Sequence, residues 1–178
     1  NPLVLSPVDD EAVEGNETVD QIQLNNITGV ATLGTQKSHV VTLVDNDGLA
    51  QISFQLSNSQ ATEGSSDHLI ELLVTLPANK YLGNPLTITA TVLGAPDTTA
   101  STPDDFSTTT VATVPANSAS AALKQQSLSF DAKADNLIEG NEKTTLELRN
   151  VDITGPGQVG VQNRHRVDIV DQNFAQFS

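Results

Sequence analysis

The chain has 178 residues and a formal net charge of -14, from 22 Asp and Glu against eight Lys and Arg. No basic patch exists to release counterions from phosphates, so nucleic acid is excluded as a partner and anionic membrane surfaces are disfavoured. Cys, Met and Trp are absent, which rules out thiolate zinc sites, redox pairs and cysteine nucleophiles.

A hydrophobic content of 37% is enough for one sizeable core, and an aromatic content of 3% means Val, Leu, Ile and Ala must fill most of it. Abundant Thr, Val and Ile with eleven Gly and eight Pro favours β structure. No apolar run approaches the roughly 20 residues of a membrane span. No signal peptide is visible, and Asn1 at the start points to processing or to a fragment.

In chain order, residues 1–8 read as a short strand bounded by Pro2 and Pro7, followed by an acidic loop, Asp9 to Glu17. Val19 to Ile27 alternates, with Ile22 and Leu24 on one face. His39 to Val44 alternates next, ending in the turn signal Asp45-Asn46-Asp47-Gly48. A fresh set of strands begins there. The rows Ala50, Ile52, Phe54, Leu56, then Ile70, Leu72, Val74, Leu76, then Leu86, Ile88, Ala90, Val92 have the period of half-buried strands. Gly94 to Asp105 is a loop; Phe106 to Val114 and Ala121 to Phe130 supply two more strands.

A second acidic loop follows, Asp131 to Glu142, and the string Glu-Gly-Asn-Glu occurs in both, at 14–17 and 139–142. Carboxylates this dense repel one another unless a cation lies between them. With eight Lys and Arg in the chain, that cation is read as a hard metal ion, calcium, rather than a side chain. The ending Val167 to Asn173 parallels Val41 to Asp47, and His165 parallels His39, so the chain repeats at about 125 residues, the length of a β-sandwich domain. Residues 49–173 form one full repeat, 1–48 only the last three strands of another, and 174–178 a tail. The strand after the loop matches less well: by strict count Leu146 and Leu148 fall on Gln21 and Gln23, one residue out of step with Ile22 and Leu24.

These motifs resemble Calx-β domains, seven-stranded immunoglobulin-like sandwiches. Thr62-Glu63-Gly64 is similar to the family's E-G after the first strand. Thr99-Ala100 with Asp104-Asp105-Phe106 is similar to its T-A…D-Y, the acidic loop to its D-D-x-x-x-E-x-x-E, and Asp171-Gln172-Asn173 to its closing D-x-D. The resemblance covers 49–173 fully and 8–48 as a C-terminal portion. It implies an all-β, immunoglobulin-like antiparallel sandwich with a three-stranded partial repeat at the N-terminus. It also implies calcium ligands at Glu63, Asp105, Asp135, Glu139, Glu142 and Asp171, with Asp131 opening the same acidic stretch. Leu137 would offer its carbonyl with its side chain inward. In the partial repeat the matching set is Asp9, Asp10, Glu14, Glu17, Asp45 and Asp47. The full repeat departs from the pattern at Ala134 and at Gln172-Asn173.

Other chemistry has little support. Glycosidase work needs paired carboxylates with aromatic platforms, against one Tyr and five Phe here. His39, His68 and His165 read as exposed strand residues, and no nucleophile elbow occurs. The triplets Asn16-Glu17-Thr18 and Asn26-Ile27-Thr28 fit the glycosylation sequon. The sequence therefore reads as a non-enzymatic, extracellular, calcium-stabilised structural module of a repetitive cell-surface, adhesin or filament protein. Residues 1–48 would associate head to tail with another copy, and Phe174-Ala175-Gln176-Phe177 would be a donated strand. A calcium-sensing domain and a metal-free adhesion sandwich are the rival readings, and packing of 1–48 onto the full repeat is the alternative to association.

Overall fold

The computed structural model describes residues 2–102, 104–119 and 126–173, and the tail at 174–178 lies outside them. Alternating apolar residues make strands throughout, and no helix occurs among the described residues. The full repeat is a sandwich of two five-stranded sheets. One sheet has the order β10 (Val111–Val114), β8 (Leu86–Val92), β13 (Glu142–Thr154), β15 (Arg164–Val170), β5 (Asn58–Thr62). The other has the order β14 (Gly157–Val159), β4 (Ala50–Phe54), β6 (His68–Thr75), β12 (Gln126–Ala132), β9 (Phe106–Thr108).

Inward rows from both sheets meet in one core. Ile52, Ile70, Leu72, Leu86, Ile88, Leu128 and Leu146 are fully buried, as are Phe54, Phe106 and Phe130. The Phe106 and Phe130 rings stack with centroids 5.3 Å apart. So few aromatics suffice because branched aliphatics fill the remaining space.

Three readings of the strands change. The alternation read through Leu56 stops at Phe54: β4 and β5 are two parts of one segment that crosses from one sheet to the other, and Leu56 at the crossing is exposed. This crossing makes two pairings parallel, β5 with β15 and β14 with β4, in an otherwise antiparallel sandwich. The span from Phe106 to Val114, read as one strand, likewise splits into β9 and β10 on opposite sheets. Residues 2–8, read as a strand, have no strand pairing. The histidines also differ from one another: His39 is exposed, His68 half-buried and His165 buried at 2% exposure.

The N-terminal segment forms a hairpin, β2 (Glu17–Gln23) with β3 (Ser38–Leu43), and a two-residue strand β1 (Ala12–Val13). β1 pairs in parallel with β7 (Tyr81–Leu82) of the full repeat, and β7 also pairs with β11 (Ser118–Ala119). Val13 is fully buried and belongs to the main core, so the acidic loop docks on the full repeat within the same chain. The one-residue mismatch between copies has a structural cause. The β2–β3 ladder breaks register between Val19 and Ile22, and beyond the break Ile22 lies opposite His39 as Leu146 lies opposite His165. A bulge in β2 absorbs the extra residue.

Candidate metal centre

The candidate ligands of the full repeat come from strand ends at one end of the sandwich. Glu63 follows β5, Asp105 precedes β9, Glu142 opens β13 and Asp171 follows β15. Glu139 sits in the loop between β12 and β13. One carboxylate oxygen from each of Asp105, Glu139 and Glu142 lies within 4.8 Å of the others.

The surrounding acids shape the loop. Asp171 Oδ2 accepts the backbone N–H of Glu139 at 3.1 Å and of Gly140 at 3.0 Å, while Oδ1 accepts that of Asn173 at 2.6 Å. Asp135 Oδ1 accepts the N–H of Leu137 at 2.6 Å, and the Asp135 carbonyl accepts Asn173 Nδ2 at 3.1 Å. Glu63 Oε2 accepts the Gln172 N–H at 3.3 Å. Gly140 has φ of 81°, a left-handed conformation that costs glycine least, which explains the Glu-Gly order.

The electrostatics follow from this crowding. Glu142 is pushed up to about 7, first by burial, then by the charge and hydrogen bond of Asp105, then by Glu139 and Glu63. Glu139 is raised by burial and then by Asp135, Asp105, Glu63 and Asp171. Asp171 is held low by the N–H groups of Asn173 and Gly140, against a smaller opposing effect of burial. The acids of this repeat therefore converge in charge on Glu139 and Glu142. Asp131 does not join them: it lies between buried Phe130 and Ala132, faces outward, and pairs with Lys133 at 3.0 Å. Leu137 also departs from expectation, since its side chain is exposed.

The N-terminal loop repeats the same network. Asp45 Oδ2 accepts the N–H of Glu14 at 2.9 Å and of Gly15 at 2.7 Å, and Oδ1 accepts that of Asp47 at 2.7 Å. Asp10 Oδ1 accepts the Ala12 N–H at 2.8 Å, as Asp135 does for Leu137. Burial pushes Asp45 up, but the N–H groups of Asp47, Glu14 and Gly15 outweigh it and hold the carboxyl low. Glu14 is raised by burial and then by Glu17, Asp10, Asp45 and Asp47. The six acids Asp9, Asp10, Glu14, Glu17, Asp45 and Asp47 line one cavity of about 270 Å³.

Neighbouring backbone comes from the full repeat. The Gly83 N–H donates to the Val13 carbonyl at 2.9 Å, and Asn84 Nδ2 donates to the Glu14 carbonyl at 3.1 Å. Lys80 Nζ pairs with the buried carboxylate of Asp47. A side-chain cation does therefore reach this loop, contrary to the expectation from composition, because docking brings Lys80 across from the next repeat.

No protein-family model matches the sequence, and no curated protein matches it. Solved structures do. The apo-form Calx CBD1 domain aligns at a TM-score of 0.55 and 15% identity, covering 70% of this chain and 99% of that one. The fold is Calx-β-like. Two CBD12 structures of Calx agree: that from CALX1.2 at a TM-score of 0.53 and that of CALX1.1, described as a calcium binding domain, at 0.52. Both are 16% identical, and the chain spans 44% of the length of each.

On this Calx-β-like frame the donor set suits a hard cation. Oxygens bonded to one Ca²⁺ at about 2.3–2.6 Å stand no more than about 5 Å apart, a limit that Asp105, Glu139 and Glu142 meet. Among the described residues no Lys or Arg forms an ion pair with any of these three.

Proposed function

We propose that the chain is a calcium-stabilised structural module in which each acidic loop holds metal. The observation that carries this reading is the convergence of Asp105, Glu139 and Glu142, with Glu142 raised to about 7 first by burial and then by acidic neighbours that repel its charge. A divalent cation relieves that repulsion, so binding stabilises the fold directly. The duplicated network around Asp45 and Asp171 supports a second site in the N-terminal loop, shared with the Lys80 segment.

The same reading places the module outside the cell, in a repetitive surface or filament protein. At extracellular calcium of millimolar order, a site with Kd of ~10⁻⁴ M is mostly filled. Metal at the N-terminal loop would stiffen the junction between repeats, since Asp45 and Asp47 lie where β1 docks beside β7. The β2–β3 hairpin favours association, because among the described residues neither strand pairs with a third and Leu24, Val40 and Val44 on it are exposed.

Calorimetric titration with calcium tests the metal reading. Binding that weakens at least tenfold in Glu142→Gln supports it, and no heat in the unsubstituted protein at millimolar calcium rejects it. Sedimentation at micromolar concentration tests association separately: a strict monomer with and without calcium removes the head-to-tail arrangement. A calcium sensor would instead change its shape at micromolar calcium.

A further inference from the structure

Three polar side chains meet inside the sandwich, apart from the acidic loops. Ser59 Oγ on β5 lies 2.7 Å from His68 Nε2 at the start of β6 and 2.8 Å from His165 Nε2 on β15. The other ring nitrogen of His165, Nδ1, lies 2.8 Å from the Leu56 carbonyl. His165 is 2% exposed and packs against the Phe54 ring at 5.6 Å, and His68 meets Phe130 edge-on at 6.1 Å.

These contacts fix the hydrogens. A carbonyl only accepts, so Nδ1 of His165 carries a hydrogen and Nε2 of the neutral ring accepts. The single hydroxyl hydrogen of Ser59 therefore goes to His165, and His68 donates from Nε2 to the Ser59 oxygen. The relay runs from His68 through Ser59 and His165 to Leu56, and it is complete only while His165 is neutral, since His68 donates from Nε2 in either of its forms. A proton added to His165 turns its acceptor into a second donor on Ser59 and creates a buried cation.

Nothing nearby compensates that charge. The elements packed against His165 offer Phe54 from β4, Phe130 from β12 by way of His68, and Leu146 from β13. Of the charged groups on these strands, Glu147, itself 9% exposed, holds Arg149 and Arg164, Asp168 holds Arg166, and Asp131 holds Lys133. Glu71 lies between buried Ile70 and Leu72 and also faces out, Asp67 is exposed in the turn before His68, and Glu142 heads β13 at the metal end. Burial lowers both histidines, and the proximity of His68 lowers His165 further against the opposing Leu56 carbonyl.

We propose that Ser59, His68 and His165 form an acid-released clasp that fastens edge strand β5 to the sandwich at neutral pH. β5 has one strand partner, β15, in its own sheet, and Ser59 adds a tie to β6 in the opposite sheet. The sign is that of a depressed histidine. The clasp is fully effective above the ordinary histidine value of about 6.5 and is lost as pH falls through the folded-state values.

Amide hydrogen exchange followed by NMR on the full chain at pH 7.5 and 5, corrected for intrinsic rates, tests this. The β5 amides should lose protection roughly tenfold or more at pH 5, as expected when a ring charges only in the open form, while those of β6 and β12 lose less. In His165→Gln that pH dependence should vanish whatever the baseline. If that variant does not fold, the His165 ring titration followed by NMR in the unsubstituted chain serves instead, and a value at or above the ordinary value of about 6.5 overturns the clasp. Unchanged β5 protection, an equal loss over the whole sandwich, or a pH dependence that persists in His165→Gln would also overturn it.

Discussion

At the residue scale, Glu142 sets how the metal site responds to pH. Its folded value of about 7 lies above the ordinary 4.5, so its neutral form is favoured by folding. That contribution is fully present below 4.5 and is lost as pH rises through about 7. In EDTA the melting midpoint should therefore fall between pH 6.5 and 8, and Glu142→Gln should flatten the dependence. Excess calcium should flatten it too, by holding the carboxylate charged. A midpoint in EDTA that rises over this interval contradicts the placement of Glu142 beside Asp105 and Glu139. Much of this site is legible in the sequence, because a Glu-Gly-Asn-Glu string with an Asp at the next strand's end is local chemistry that repeats. Asp131 misled because adjacency in sequence says nothing of the alternation that turns it outward between Phe130 and Ala132. His165 misled in the other direction: flanking Arg164 and Arg166 suggested exposure, but strand alternation puts the residue between them inside.

At the element scale, the docking of β1 beside β7 is what joins the partial repeat to the full one. Gly83 permits it. A Cβ there would fall inside the Glu14 side chain and 2.9 Å from the Ala12 Cβ, so the β1 backbone would have to move. Gly83→Ala should destabilise by about 1–3 kcal/mol, the usual cost of overpacking. It should also speed proteolysis near residues 9–17, which unaltered stability and cleavage would contradict. Sequence alone shows the strands well where rows such as Ile70, Leu72, Val74 and Leu76 keep a period of two. It does not show the crossing at Leu56 or the split between β9 and β10, because switching sheets leaves the alternation almost intact on either side. β1, β7 and β11 have two residues each, too short for any period to register.

At the scale of the whole molecule, the chain is a Calx-β-like sandwich carrying a second acidic loop on a docked hairpin. The two acidic loops share one hydrogen-bond pattern, down to the Asp that receives two loop N–H groups. The order in which chain segments meet was not legible, since the contact of Lys80 with Asp47 depends on how the repeats pack rather than on either sequence. The central claim is that metal neutralises these loops and stabilises the fold. Thermal melting in 1 mM calcium against EDTA at pH 7.5 tests it most directly. With a Kd of ~10⁻⁴ M at one site the gain is about 1.4 kcal/mol, which raises the midpoint of a domain this size by roughly 3–6 °C. An identical midpoint in calcium and EDTA would contradict the account.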